Sequence, residues 1–311
     1  MIKLSIICPT HNRCNLLGDC VRSAIPLMQE GAEFLLIDDA STDGTDSLVR
    51  EFHREFGSSF RYERFGKNSG AQVARNRGIA EARGNFFMFV DSDDVMVPGG
   101  LLEVFGHLQA KPELDYAYGK VQMTDEALQP LPGKAPVGAA FKNVPVEAAG
   151  YHWHTMGPIY RRRCIEKVGP WNLELTGSQD WEYQARVKLL GGRGEFVDAL
   201  VGYWRQHTGG RVGTRSFRPD YVRSVMKACE SIHSHARQAR KCDSALERRL
   251  AKKLIVHAIE WGANGYRKEK TRCLRQATAT ASDDFSLRMA SMVFWVCPKF
   301  VDRMLLKKIY R

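Results

Sequence analysis

Residues 86–94 read FFMFVDSDD, an apolar run that stops at three carboxylates within four positions. Strands with one wet face alternate, so an unbroken run predicts a strand covered on both faces. Such a strand needs helices above and below its sheet, which is the layering of an α/β domain. Asp91 and Asp93 are two apart and share a side in extended chain. Two hard oxygen ligands there suit Mg²⁺ or Mn²⁺ holding a diphosphate. The alternative is that Asp93 or Asp94 caps a helix beginning near Pro98.

The neighbouring sequence repeats the theme. Strands are expected at 3–9 (stopped by Pro9), 34–37, 60–64 and 86–90, and helices at 15–29, 45–56 and 71–82. This alternation predicts a Rossmann-like sheet, and such sheets collect ligands at the carboxyl ends of their strands. Pro9-Thr10, Asp38-Asp39 and residues 91–94 all fall at such ends. Farther on, 101–109 and 181–190 read as helices, 116–123, 155–162 and 195–205 as strands, and 129–150 as a loop rich in Pro, Gly and Ala. From about residue 215 the pattern is helical throughout. The expected division is a catalytic domain at 1–214 and a basic helical region at 215–311.

Four segments taken together, CPTHNR (8–13), IDDASTDGT (37–45), NSGAQVARNRGIAEARG (68–84) and VDSDD (90–94), resemble the family-2 glycosyltransferases. The resemblance covers about residues 1–110 closely. It extends more loosely through Gln179-Asp180-Trp181 and YWRQH (203–207). It implies a GT-A fold, a mostly parallel mixed sheet flanked by helices, here with a C-terminal helical extension. It further implies inverting transfer of a sugar from a nucleotide-diphosphate donor to a hydroxyl of a glycan or lipid-linked glycan, of the bacterial cell-surface polysaccharide type.

Carried over position by position, the resemblance places Pro9, Thr10 and Asn12 at the nucleoside and Arg13 near the phosphates. Thr10 or Asn12 could instead cap the following helix. Asp39 matches the aspartate that accepts the base N–H, which suits uracil and so favours UDP; dTDP satisfies it equally. Residues 41–44 read as a turn and helix cap. Gly70 and Gly78 would permit close backbone approach. Arg75 is assigned to the diphosphate or base pocket, or else to an ion pair with a nearby carboxylate. Asp91 and Ser92 are assigned to the donor, with Asp91 on the ribose or a metal-bound water. Asp93 is the metal ligand, and His207 completes the metal shell or is structural. Asp180 occupies the position of the catalytic base, with Gln179 replacing the usual preceding acid and Glu182 as the substitute. Trp153, His154 and Trp171 fall on the expected acceptor side, or are simply buried. Residues 161–163, three arginines, either face acceptor phosphate or are solvated.

Charge is unevenly placed. Residues 1–214 hold 24 Lys+Arg and 26 Asp+Glu, whereas residues 215–311 hold 22 and 9. The basic third suits an anionic surface, and the Trp-containing segment 289–311 suits an interfacial membrane helix or ordinary packing. No signal peptide or spanning segment is expected, so the expected location is cytoplasmic, on the inner face of the membrane if peripheral. The eight cysteines include no CxxC pair, which argues against a zinc site or a disulfide framework. A nucleic-acid-binding module would account for the basic third but lacks a recognisable motif. A sugar-nucleotidyltransferase would need glycines after the first strand that CPTHNR lacks.

Overall fold

The structure, a computed structural model, describes residues 3–140, 145–207, 219–281, 283, 284 and 289. The chain divides into two compact units, one of Met1–Phe141, His152–Leu173 and Leu190–Thr208, the other of Lys142–Tyr151, Glu174–Leu189 and Gly209–Arg311. The expected boundary at 214/215 lies outside the described residues, as does all of the segment 289–311 except Met289.

The first unit contains β1 (Leu4–Thr10), α1 (Cys14–Ser23), α2 (Ile25–Gln29), β2 (Glu33–Asp38), α3 (Thr45–Phe56), β3 (Phe60–Arg64), α4 (Ala71–Glu81), β4 (Phe86–Phe89), β5 (Val95–Met96), α5 (Pro98–Ala110) and β6 (Tyr116–Thr124). After α6 (Pro145–Ala148) of the second unit, it resumes with β7 (Pro158–Arg161) and α7 (Arg162–Val168). Past α8 (Gln179–Leu190), again of the second unit, it ends on β8 (Gly194–Arg205). The strands form one sheet in the order β3-β2-β1-β4-β7-β6-β8-β5. β3, β2, β1 and β4 run parallel, and β7 is antiparallel to both its neighbours.

Burial explains the unbroken apolar runs. Every residue of β1, β2 and β4 is buried, on both sides of the sheet. Ile6, Cys8, Phe34, Leu36 and Met88 enter a core with Leu17, Val21, Val49 and Phe52 of the helices. On the opposite side α4 comes so close that a Cβ built on Gly78 would lie 2.3 Å from Ile7 Cγ2. The amino ends of the strands carry a buried polar clasp. Glu33, fully buried, accepts from the Ser5 hydroxyl and the Arg83 amide at 2.6 Å each and from Arg61 at 3.0 Å.

Pro9 does not stop β1, which runs on to Thr10 and keeps its register with Ile37 and Asp38 of β2. It does mark where β1 leaves β4. The last rung between them is the Val90 amide to the Ile7 carbonyl, and Pro9 has no N–H to extend that ladder. The strands therefore part between β1 and β4, where the chain order of the sheet reverses, and this is where open α/β sheets bind ligands.

The expected helix at 15–29 is two helices, α1 and α2, with Pro26 in the first turn of the second. The three arginines at 161–163 are engaged by the protein itself, although Arg163 is also exposed to solvent. Arg161 donates to the carbonyls of Leu108 and Leu114, Arg162 to those of Ala82 and Gly84, and Arg163 to Asp115. They tie α7 and β7 to their surroundings.

In the second unit, α9 (Pro219–Gln238), α10 (Ser244–Ala263) and α11 (Arg267–Thr280) accompany α8. Asp243 caps α10 by accepting the Leu246 amide at 2.8 Å. Leu246, Leu250 and Leu254 of α10, with Cys273, Leu274 and Ala277 of α11, are buried. Among the described residues no helix is long and apolar enough to cross a membrane.

Candidate active site

Beyond β2, Asp38 and Asp39 turn their carboxylates to different tasks. Asp38 is buried and accepts from the Ser41 amide (2.8 Å) and the Tyr62 hydroxyl (2.9 Å). Asp39 accepts the amides of Ser69 (2.6 Å) and Gly70 (2.7 Å), and so fastens the loop before α4 to the end of β2. Gly70 has φ +100°, which only glycine adopts freely. Asn12 joins the same rim, since its Oδ1 accepts the Thr42 amide at 2.7 Å and its own amide donates to Ser41 Oγ at 3.0 Å. Its side-chain oxygen is thus engaged by the 41–42 turn. Arg13 precedes α1, half-buried. Thr10 is buried at the tip of β1 with its hydroxyl unpaired. Asp43 closes the turn by accepting from Thr45 and the Cys14 amide; burial would raise its pKa, but these bonds hold it down at about 2.

The DSDD loop leaves β4 and runs into β5, and there each carboxylate has a separate partner. Asp91 receives Arg75 of α4 at 2.6 Å, and that guanidinium lies 4.5 Å over the Trp171 ring. Asp93 Oδ2 is 2.8 Å from His207 Nε2. Asp94 is buried and accepts the Arg205 amide at 3.0 Å. Burial first, then the negative charges of Asp93 and Asp91, push its carboxyl well above the usual range. Ser92 is buried between these neighbours. Asp94 does not cap α5, whose N-cap residue is Val97. The two-residue strand β5 explains the meeting. It pairs Val95 with Tyr203 and Met96 with Gly202 of β8, and so brings YWRQH alongside DSDD.

His154 belongs to this cluster rather than to an acceptor face. It is buried, with its Nε2 3.8 Å from Asp94 Oδ2, and ligand atoms of Asp91, Asp94 and His154 all lie within 4.8 Å of one another. Trp153 is fully buried against Tyr118 and Tyr116, with ring centroids 4.5 and 5.6 Å away, so it presents no face to a sugar. Trp171 is also buried, as the platform beneath Arg75.

In the second unit, Asp180 lies in the first turn of α8, where the helix dipole favours a carboxylate. The preceding turn is strained, with Ser178 at φ +55°. Ser224 of α9 holds it, accepting the Thr176 and Gly177 amides at 3.0 Å each and donating to the Gly177 carbonyl at 2.5 Å. Gln179 donates to the Leu175 carbonyl at 2.9 Å. Glu182 is fully buried, bound by Arg186 at 2.7 and 2.9 Å and by the Ser231 hydroxyl at 2.6 Å. That carboxylate is committed to structure and cannot stand in for Asp180 as a base facing an acceptor.

Residues 5–135 match the profile of "Glycosyl transferase family 2". This part of the chain belongs to glycosyltransferase family 2. The matched segment is similar to the putative teichuronic acid biosynthesis glycosyltransferase TuaG of Bacillus subtilis, at 33% identity over 29% of this chain and 36% of TuaG. A longer match, at 27% identity, joins 60% of the chain to 54% of glycosyltransferase GlyG of Streptococcus pneumoniae. The poly(ribitol-phosphate) beta-glucosyltransferase of Bacillus spizizenii is 28% identical over 39% of the chain. The chain spans 19% of that last protein's length and about half of GlyG. S. aureus TarS 1–349, solved with UDP-GlcNAc, superposes with a TM-score of 0.70 at 15% identity, covering 99% of this chain and 92% of that one. The mannosyltransferase PcManGT of Pyrobaculum calidifontis, solved with GDP-Man and Mn²⁺, gives 0.54 at 17%, covering 94% and 78%. These structural likenesses establish the GT-A fold.

Thr10, Asp39, Asp91 and Asp93 thus lie at or just beyond the carboxyl ends of β1, β2 and β4, with Gly70 bonded to Asp39, Arg75 to Asp91 and His207 to Asp93. What residue patterns did not reveal is the division of labour. Arg75 is bound to Asp91, and Asp39 to backbone amides. Asp94 and His154 form a buried pair that no spacing rule connects at a separation of sixty positions.

Proposed function

We propose that this chain transfers a sugar from a nucleoside-diphosphate donor, UDP-linked in preference, to a hydroxyl of a glycan or lipid-linked glycan with inversion at the anomeric carbon. The observation that carries the reading is the meeting of Arg75–Asp91 and Asp93–His207 at the parting of β1 and β4, in a family-2 domain. The similarity to structures solved with UDP-GlcNAc and with GDP-Man supports the donor class.

Asp91 and Asp93 are only partly buried, and Asp93 with His207 offers a carboxylate and an imidazole side by side. That set fits Mn²⁺ or Mg²⁺. Asp93 and His207 would hold the ion, which when bound offsets the charge gathering on the diphosphate leaving group. The remaining steps belong to the chain's own side chains. The Asp39-braced loop shapes the base and ribose end. The unpaired Thr10 hydroxyl is free to bond the nucleoside. Arg75, fixed between Asp91 and Trp171, holds Asp91 in one orientation toward the ribose. Asp180 takes the proton from the acceptor hydroxyl as that oxygen bonds to the anomeric carbon and the anomeric carbon–phosphate oxygen bond breaks.

Exposed cations on α10 and α11, among them Arg249, Lys252, Arg267, Lys268 and Arg272, suit an anionic membrane surface. That charge supports a peripheral placement at an anionic membrane surface, and we take that surface to be the cytoplasmic face and the acceptor to be lipid-linked. Nucleic acid is not part of this reading. Transfer assays with Asp93→Asn and Asp180→Asn test it. Loss of transfer in both, with folding retained, is expected, and full activity in either removes that residue's role.

A further inference from the structure

The cysteine spacing argued against zinc because no two cysteines stand close in sequence. The helical unit assembles a different ligand set. His233 of α9, Cys242 of the α9–α10 connection and Glu247 in the first turn of α10 bring Nε2, Sγ and Oε1 within 4.8 Å of one another. His233 Nε2 is 2.9 Å from Glu247 Oε1, and Cys242 Sγ is 3.5 Å from the same oxygen. All three residues are half-buried.

We propose that His233, Cys242 and Glu247 bind one Zn²⁺, at a site separate from the carboxylates of the sugar-nucleotide cleft. The residue types are those zinc selects, an imidazole, a thiolate and a carboxylate. The spacing fits too. Tetrahedral zinc with bonds of about 2.0–2.3 Å places a nitrogen and an oxygen ligand about 3.4 Å apart, and a sulfur and an oxygen ligand about 3.6 Å apart. The sulfur–oxygen distance already has that value, and the nitrogen–oxygen pair needs to open by about half an ångström. Charge balances as well, because thiolate and carboxylate together neutralise the ion. The fourth position is left to water at the half-exposed rim.

The ion would clamp α9 to α10 at their connecting turn. α9 also carries Ser224, which holds the turn before Asp180. The clamp therefore supports the unit that presents the proposed base, yet its existence does not depend on that role.

Full-length protein loaded with Co²⁺ in place of Zn²⁺ gives a direct reading. The wild type and Asp93→Asn should both show the near-ultraviolet charge-transfer band of a cobalt–thiolate bond. Cys242→Ser should lack the band and bind Zn²⁺ at least tenfold more weakly by chelator competition. His233→Ala should weaken it similarly. Folded wild type without the band overturns the site, as does a Cys242→Ser variant that binds Zn²⁺ unchanged. Neither outcome bears on the transferase reading, which Asp93→Asn and Asp180→Asn test separately.

Discussion

Ser224 and Gly177 hold each other by two hydrogen bonds, the Gly177 amide to Ser224 Oγ at 3.0 Å and the Ser224 hydroxyl to the Gly177 carbonyl at 2.5 Å. Both residues belong to the helical unit, and the turn they fix leads to Asp180 three residues later. Within that unit, α9 thus fixes the turn that leads into α8 and Asp180.

Ser224→Ala is therefore expected to lower kcat by roughly ten- to a hundredfold, the scale of a small misplacement of a reacting group. KM for the donor should stay unchanged, because the donor is held by the sheet. Steady-state kinetics separate the two constants. Unchanged kcat with a correctly folded variant means that the turn does not position Asp180.

His207 faces Asp93 at 2.8 Å with a side chain only 2% exposed. Removing it should loosen rather than abolish ion binding. His207→Ala is expected to raise the Mn²⁺ concentration giving half-maximal transfer by about ten- to a hundredfold. Activity should recover at high Mn²⁺, and a metal titration of initial rates distinguishes this from simple inactivation.

Lys188 is buried in α8 and donates to the Gly150 carbonyl. Burial pulls its pKa down from 10.5 to about 7, with Glu147 opposing. The sign follows from proton counts. Between pH 7 and 10.5 the unfolded chain holds a proton that the folded chain has released, so stability rises with pH across that window. Below it the cost of the buried ammonium is fully present. Urea unfolding at pH 7 and pH 9 should show a gain of about 2 kcal/mol, and Lys188→Met should flatten this slope.

Gly78→Ala places a methyl group against Ile7, where α4 meets β1. A cost of about 1–3 kcal/mol is expected in thermal or urea unfolding, since neither element has room to yield. The double variant Gly78→Ala/Ile7→Ala should cost less than the sum of the two single variants, because Ala lacks the Cγ2 that the new methyl meets.

The sheet was legible because doubly buried strands leave unbroken apolar runs, as 86–89 and 34–37 do, and because α3 and β3 are bounded by turn residues. The carboxyl-end rule then located Thr10, Asp39 and Asp93. Individual partners were not legible, because they depend on register. A strand of only two residues, β5, decides that His207 meets Asp93, and so short a stretch leaves no periodic signal. Burial of Trp153, His154 and Glu182 was equally hidden. Aromatic and charged side chains look alike in sequence whether they face a ligand or one another. Here Glu182 has its compensating Arg186 one helical turn away, the i,i+4 spacing that could have signalled a structural pair.

The most direct measurement is thermal unfolding of the full chain with UDP, GDP or dTDP, each with and without Mn²⁺. One nucleoside diphosphate, UDP by this account, should raise Tm by at least about 3 °C, and only when Mn²⁺ is present. Asp93→Asn should abolish the shift while retaining the unliganded Tm. Equal stabilisation with and without Mn²⁺, or none by any of the three, would contradict a metal-assisted sugar-nucleotide site at the carboxyl ends of β1, β2 and β4.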